Sequence, residues 1–135
     1  MISDKELIEA ATAVRENAFA PHSRFRVGSA LETDDGELVI GCNVESASYG
    51  LTVCAERIAI FNAVSQGKKK ITRIAVVTDT DELTAPCGAC RQIIWEFGGD
   101  IPVILSNLKG KTSTVQMKDL LPHAFDSTFL SDPNA

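Results

Sequence analysis

Apolar residues recur along this chain in two rhythms, one with helical and one with strand period. Ser3-Asp4-Lys5-Glu6 supplies the hydroxyl and the glutamate of a capping box. Leu7, Ile8, Ala11, Val14 and Ala18 follow at helical spacing, which predicts a helix over 4–17, and Pro21 ends any continuation. Residues 25–32 (FRVGSALE) suit a strand, Asp34-Asp35-Gly36 a turn, and residues 37–43 (ELVIGCN) a second strand, so the pair predicts a hairpin. Leu38, Ile40 and Cys42 alternate in that second strand, which reads Cys42 as a core thiol rather than a ligand.

The periodicity then breaks. Residues 43–52 are small, polar and irregular, the character of a loop that carries function. Helical spacing returns over 53–66 and stops at Gly67. ITRIAVVT (71–78) is β-branched and apolar on both faces, as in a fully buried strand. After a loop over 78–86, Cys90, Ile93, Ile94 and Phe97 fall at i, i+3, i+4 and i+7, predicting a helix over 88–97 closed by Gly98-Gly99. IPVILS (101–106) and TSTVQM (112–117) read as strands. The five residues between them are too few for a parallel crossover, so this pair is expected to run antiparallel. A short helix is expected over Lys118–Leu121, and 126–135 reads as a loose tail. The order α-β-β-α-β-α-β-β predicts a three-layer α/β/α fold, a five-stranded mixed sheet with helices on both faces.

At 135 residues the chain is expected to be a single domain, 1–135, with a core large enough to fold without disulfide staples. The formal net charge of -5 opposes a nucleic-acid partner. The one basic run, Lys68-Lys69-Lys70, follows Gly67 and reads as a solvated helix end favourable to the dipole. The sequence shows neither an apolar leader nor a membrane span, which predicts a cytoplasmic protein. Structural disulfides are rare there, so Cys42, Cys54, Cys87 and Cys90 are expected to be core residues, metal ligands or nucleophiles.

Cys87-Gly88-Ala89-Cys90 opens one predicted helix, and Cys54 opens another. A C-x-x-C alone is compatible with a redox pair. Two helix N-termini that both present thiols suggest instead convergence on one cation, because the dipoles favour thiolate. Three thiolates suit zinc. A structural zinc site needs a fourth ligand, and neither His22 nor His123 has motif spacing; three ligands and an open position is the catalytic pattern. Glu56, two residues after Cys54, leaves the helix in another direction and is placed to act as a base. Arg57 is i+3 from Cys54, on the same face, and is placed to donate to thiolate sulfur. Taken singly, Glu56 reads as a first-turn dipole partner, Phe25 as core, and Asn43 and Glu45 as loop residues.

Together, Cys54-Ala55-Glu56 and Pro86-Cys87-Gly88-Ala89-Cys90 resemble the zinc deaminase signature. With Cys rather than His before Ala-Glu, the chain resembles the small free-nucleoside cytidine deaminases. FRVGSAL (25–31), GCNVESASYG (41–50), CAERIAIFNAVSQG (54–67), PCGACRQ (86–92) and DLLPHAF (119–125) extend the resemblance to Phe125. It implies a cytidine-deaminase-like fold and one zinc ion per chain on Cys54, Cys87 and Cys90. It also implies Glu56 as the proton carrier between water, N3 of cytosine and the departing ammonia. Asn43 and Glu45 are implied to hold the ribose, chiefly its 3′-hydroxyl, with Phe25 against the base and the Ala55 backbone on the base carbonyl. Such enzymes are typically homotetramers; Ala47 and Tyr49 match a segment that reaches the 5′-hydroxyl in an adjacent subunit, and Phe125 matches an aromatic that crosses an interface. His22 stands where the family often has Tyr, which bears on local subunit contacts and leaves the zinc chemistry untouched.

The resemblance implies hydrolytic deamination of cytidine and deoxycytidine in pyrimidine salvage. Competing readings are a deaminase of a nucleoside-like antibiotic or modified nucleoside, a polynucleotide cytosine deaminase, and a non-catalytic zinc or thiol-redox module. Asn43 and Glu45 favour an ordinary ribose. The acidic balance and the expected antiparallel last strand oppose the polynucleotide reading, since in polynucleotide deaminases that strand tends to run parallel.

Overall fold

The computed structural model describes residues 1–130. Ser3 caps the first helix, α1 (Asp4–Arg15), by accepting from the Glu6 amide at 3.1 Å. The hairpin β1 (Val27–Thr33) and β2 (Leu38–Cys42) follows, then a 3₁₀ turn over Tyr49–Leu51 and helix α2 (Ala55–Ser65). The remaining elements are β3 (Ile71–Thr78), α3 (Gly88–Gly98), β4 (Pro102–Asn107), β5 (Thr112–Gln116), α4 (Met117–Leu120) and a 3₁₀ turn over Ser127–Leu130. The expected element order is therefore present, with ends shifted by one to two residues. Residues 131–135, the end of the expected loose tail, lie outside the described residues. Just before them Asp126 accepts from Trp95 Nε1 at 3.0 Å, and Phe129 stacks on Phe125 with centroids 5.6 Å apart.

The five strands form one sheet in the order β2-β1-β3-β4-β5. Only β3 and β4 run parallel, joined through α3, and β5 pairs antiparallel with β4 as its short connection requires. The sheet is thus mixed. β3 lies at its centre, with Ile74 through Thr78 all buried, which explains its uninterrupted apolar run.

Helices cover both faces. On one, α1 packs Leu7 and Ala11 on Ala30, Ala75, Val77 and Ile104. On the other, α2 and α3 bring Ala59, Ile60, Ala63 and Ile94 onto Leu31, Ile74, Val76 and Val103. Two glycines let the helices settle. A Cβ at Gly28 would lie 1.8 Å from the Ala11 carbonyl oxygen on α1, and one at Gly41 would lie 2.3 Å from the Ala59 nitrogen on α2.

The β2 alternation is inverted relative to the expectation from its sequence. Val39 is buried and packs with the α2 layer, and Gly41 is buried on the same face. Leu38 and Ile40 are more than a third exposed, and Cys42 is half-buried. Cys42 pairs with Gly28 and Ile40 with Ala30, so they share the α1 face. α1 covers β1 there but leaves the edge strand's outer side chains partly bare. No described thiol is disulfide-bonded, and burial pushes the Cys42 thiol up from its ordinary value.

Candidate active site

Two helix starts build the site. Cys54 is the N-cap of α2 and Cys87 the N-cap of α3, and neither side chain caps its own helix. Their carbonyls accept the first helical bonds, from Ile58 at 3.0 Å and Arg91 at 2.9 Å, so both sulfurs stay free to project from the helix ends. Cys90 lies in the first turn of α3 and is fully buried. Arg91 steadies this loop by donating from Nε to the Pro86 carbonyl at 2.7 Å and from Nη1 to the Leu120 carbonyl at 2.9 Å.

The three sulfurs lie within 4.8 Å of one another, with Cys54 and Cys87 Sγ 3.8 Å apart. Tetrahedral zinc with Zn–S bonds near 2.3 Å sets its sulfurs about 3.8 Å apart. The donor set therefore fits a single zinc ion and supplies three of its four positions. Its charges are arranged accordingly. A hydrogen bond from the Cys90 thiol, opposed by burial and helped by Arg57, lowers the Cys54 thiol to about 5. Cys90 is raised, first by that same bond and then by burial. One thiol is thus primed as thiolate, and a divalent cation supplies the charge that lets its neighbours follow.

Arg57 donates from Nη2 to Cys54 Sγ at 3.5 Å, as its i+3 spacing predicts. Its Nε is buried with no hydrogen-bond partner among the described residues. That orphaned donor points to more negative charge at this spot than the metal-free thiols provide. Glu56, one residue earlier, is 4% exposed. Burial pushes its carboxyl up to about 7, with the Cys54 charge adding to the rise. The group is poised to exchange a proton near neutrality.

Above the thiols lies a cavity of about 270 Å³ at the C-terminal end of β3. Cys54, Ala55, Glu56 and Cys87 line it, together with Phe25, Asn43 and Glu45. These are residues that the sequence pattern singled out. Val27, Val76, Thr78, Thr84 and Ala85 also line it and were not foreseen. Thr84 and Ala85 adjoin the Pro86-Cys87 motif, a signal available in sequence; Val76 and Thr78 reach the cavity only because α2 and α3 lie across the end of β3.

Asn43 is 7% exposed and Glu45 9%. The Asn43 side chain bridges the backbone of the Phe25 segment, accepting from Val27 N at 2.8 Å and donating to Phe25 O at 2.7 Å. Glu45 accepts from the amides of His22 at 2.8 Å and Ser23 at 3.1 Å, and from the Ser23 hydroxyl. The Ser23 hydroxyl, against the opposing pull of burial, holds the Glu45 carboxyl below its ordinary range, and the two amides add to the effect. Ala47, Tyr49 and Phe125 are exposed and stand outside this cavity. Tyr49 packs edge-on against His22, 5.5 Å between centroids, beside a second opening that shares Ser23, Glu45 and Thr52 with the first.

A model of the cytidine and deoxycytidylate deaminase zinc-binding region matches residues 1–105. The chain belongs to the cytidine and deoxycytidylate deaminase family. It is 47% identical to a cytidine deaminase of Halalkalibacterium halodurans over 93% of this chain and 96% of that one. It is also 47% identical to one from Sporosarcina psychrophila, over 94% of each chain. A crystal structure of cytidine deaminase from Burkholderia pseudomallei superposes with a TM-score of 0.89 at 50% identity, covering 92% of this chain and all of that one. The family's zinc-binding region and the three converging thiols agree that the cluster suits one zinc ion.

Proposed function

We propose that this protein deaminates cytidine and 2′-deoxycytidine by zinc-dependent hydrolysis, yielding uridine or 2′-deoxyuridine and ammonia. The observation that carries the reading is Glu56. It is a buried carboxyl raised to about 7, set beside three converging thiols at one wall of a nucleoside-sized cavity.

Cys54, Cys87 and Cys90 would hold the metal, and zinc, when bound, supplies a Lewis acid that acidifies a water at its open position. Glu56 takes one proton of the attacking water to N3 of the cytosine ring as the water oxygen bonds to C4, then carries the proton of that new hydroxyl to the amino group, which leaves as ammonia as the C4 carbonyl forms. A carboxyl balanced near neutrality suits both acceptance and release. Arg57 offsets the negative charge of the thiolates through its bond to Cys54. The Ala55 backbone contacts the base carbonyl, and Phe25 lies against the pyrimidine face. Asn43 and Glu45 hold a sugar hydroxyl, one donating and the other accepting.

Exposed apolar side chains support assembly into a homotetramer, in which Ala47, Tyr49 and Phe125 complete a neighbour's site. Phe19, Tyr49, Leu51, Phe61 and Phe125 are each 44% exposed or more. The chain is read as a single-domain cytoplasmic enzyme of pyrimidine salvage; among the described residues, no helix is long and apolar enough to cross a membrane.

An ultraviolet assay of cytidine conversion tests the activity directly. The zinc-loaded protein converts cytidine to uridine, chelation abolishes conversion, and about one zinc per chain restores it. Activity that survives complete metal removal, or metal-loaded protein that leaves cytidine unchanged, overturns the reading. Turnover of a cytosine oligonucleotide in preference to the nucleoside would favour a polynucleotide substrate instead.

A further inference from the structure

We propose that Ser23 is a positioning residue for the substrate sugar, acting through the Glu45 carboxylate and setting the placement of Phe25. The proposal rests on the reading that Glu45 takes a sugar hydroxyl.

The hydrogen bonds around Ser23 are specific. Its Oγ donates to Glu45 Oε2, and its own amide and that of His22 donate to Oε1. The same Oγ accepts from the Phe25 amide at 3.0 Å. Between them Arg24 adopts a φ of 60°, a left-handed conformation that a long side chain takes up at a cost, and its amide is tied back to the Ala20 carbonyl at 2.9 Å. The segment His22–Phe25 is therefore wrapped on one carboxylate more than 20 residues away in sequence. That wrap carries the Phe25 ring to the cavity wall, and Asn43 fixes the next step by bridging Phe25 O and Val27 N.

The remaining hydrogen-bonding capacity is what a sugar hydroxyl needs. A carboxylate offers about four lone-pair sites. Three on Glu45 are taken, leaving one acceptor. The Asn43 amide has one N–H committed to Phe25 and one left over. One acceptor and one donor side by side complement a single hydroxyl. The one proton of Ser23 is committed to Glu45, so Ser23 orients the acceptor rather than binding the sugar itself. Without it, Oε2 loses its only described donor and the carboxylate is free to turn within the cavity mouth.

The experiment uses the zinc-loaded full chain and compares Ser23→Ala and Ser23→Thr on two substrates, cytidine and 2′,3′-dideoxycytidine. Ser23→Ala is expected to raise KM for cytidine about tenfold, the scale of one charge-assisted hydrogen bond, while kcat stays within about threefold. Ser23→Thr keeps the hydroxyl and restores KM. On the dideoxy substrate, which lacks the hydroxyl, the Ser23→Ala penalty shrinks below about twofold, as a coupled pair requires. An equal penalty on both substrates, a loss confined to kcat, or failure of Ser23→Thr to restore KM overturns the assignment of Ser23 while leaving the deaminase reading intact. Wild-type protein that leaves cytidine unchanged overturns that reading and this proposal with it.

Discussion

The residues proposed to carry the reaction are ordinary side chains made unusual by what surrounds each of them. Cys54 is a thiol whose neighbours, Cys90 and Arg57, lower it to about 5, whereas Cys42, with burial alone acting on it, is raised. Glu56 differs from every surface glutamate in being buried, and burial is the largest cause of its rise to about 7. Two consequences follow for Glu56→Gln. Turnover falls by a factor of about 100 to 10,000, the usual worth of a positioned general acid–base, while zinc content stays near one per chain. A carboxyl raised in the fold opposes folding once it ionises. The metal-free Gln variant is therefore more stable than metal-free wild type above about pH 7, and the difference fades toward pH 4.5. Denaturant midpoints across that range, with metal analysis, check both. A Gln variant that keeps near-wild-type turnover sinks the assignment. That Cys54, Glu56 and Cys90 belong together was suggested by thiols at two helix starts and by the resemblance of the joint pattern to the deaminase signature. The Asn43 and Glu45 bonds to the Phe25 loop were not, since partners 16 to 23 residues apart leave no periodic mark.

At the scale of elements, the site depends on how closely α2 and α3 lie on the sheet. α2 rests on β2 through Gly41, where an added Cβ would meet the backbone of Ala59 at 2.3 Å and Ala55 at 2.8 Å. Backbone cannot rotate aside as a side chain can, so Gly41→Ala must lift the start of α2, and with it Cys54 and Glu56. The expected cost is about 2–3 kcal/mol in denaturant unfolding, with weakened zinc retention. Gly36→Ala is the contrast: its Cβ has nothing within 4 Å, and its φ of 84° confines any penalty to the hairpin turn, leaving zinc retention unchanged. The helices and the central strand β3 were legible because each buries a face at a regular period. The facing of β2 was not: both of its faces carry apolar residues, and the packing of α2 against Gly41 decides which one is covered.

For the whole molecule, the charge network and the exposed apolar surface act at a distance from the cavity. Arg73 on β3 ties the start of α1 to the sheet through Asp4 at 2.5 Å, Glu32 at 2.9 Å and the Ile2 carbonyl. The Arg73 hydrogen bond, against some opposing desolvation, holds Glu32 below its ordinary value of 4.5. A depressed carboxyl stabilises the fold above its unfolded pKa, and that contribution is lost as pH falls below about 4.5 and through the lower folded value. Wild type is thus expected to lose stability more steeply in that acid window than Glu32→Gln, as measured by thermal unfolding at stepped pH. At neutral pH, sedimentation of the proposed assembly should give about four times the 14.5 kDa chain mass. A monomer that turns over cytidine at full rate would remove the role proposed for Tyr49 and Phe125 in a neighbour's site.

By itself the sequence determined the order of elements, the antiparallel last strand and the three thiols with their adjacent glutamate. Each of these follows from local spacing: helical or strand period, a connection too short to cross over, two cysteines three apart at a helix start. Only the tertiary structure decided the rest. It brought Cys54 to within 3.8 Å of Cys87 across 33 residues, placed Val76 and Thr78 under the cavity, and closed the Phe25 loop around Glu45. Those relations arise where α2 and α3 meet the end of β3, and a contact between distant segments follows from how layers pack rather than from any period along the chain.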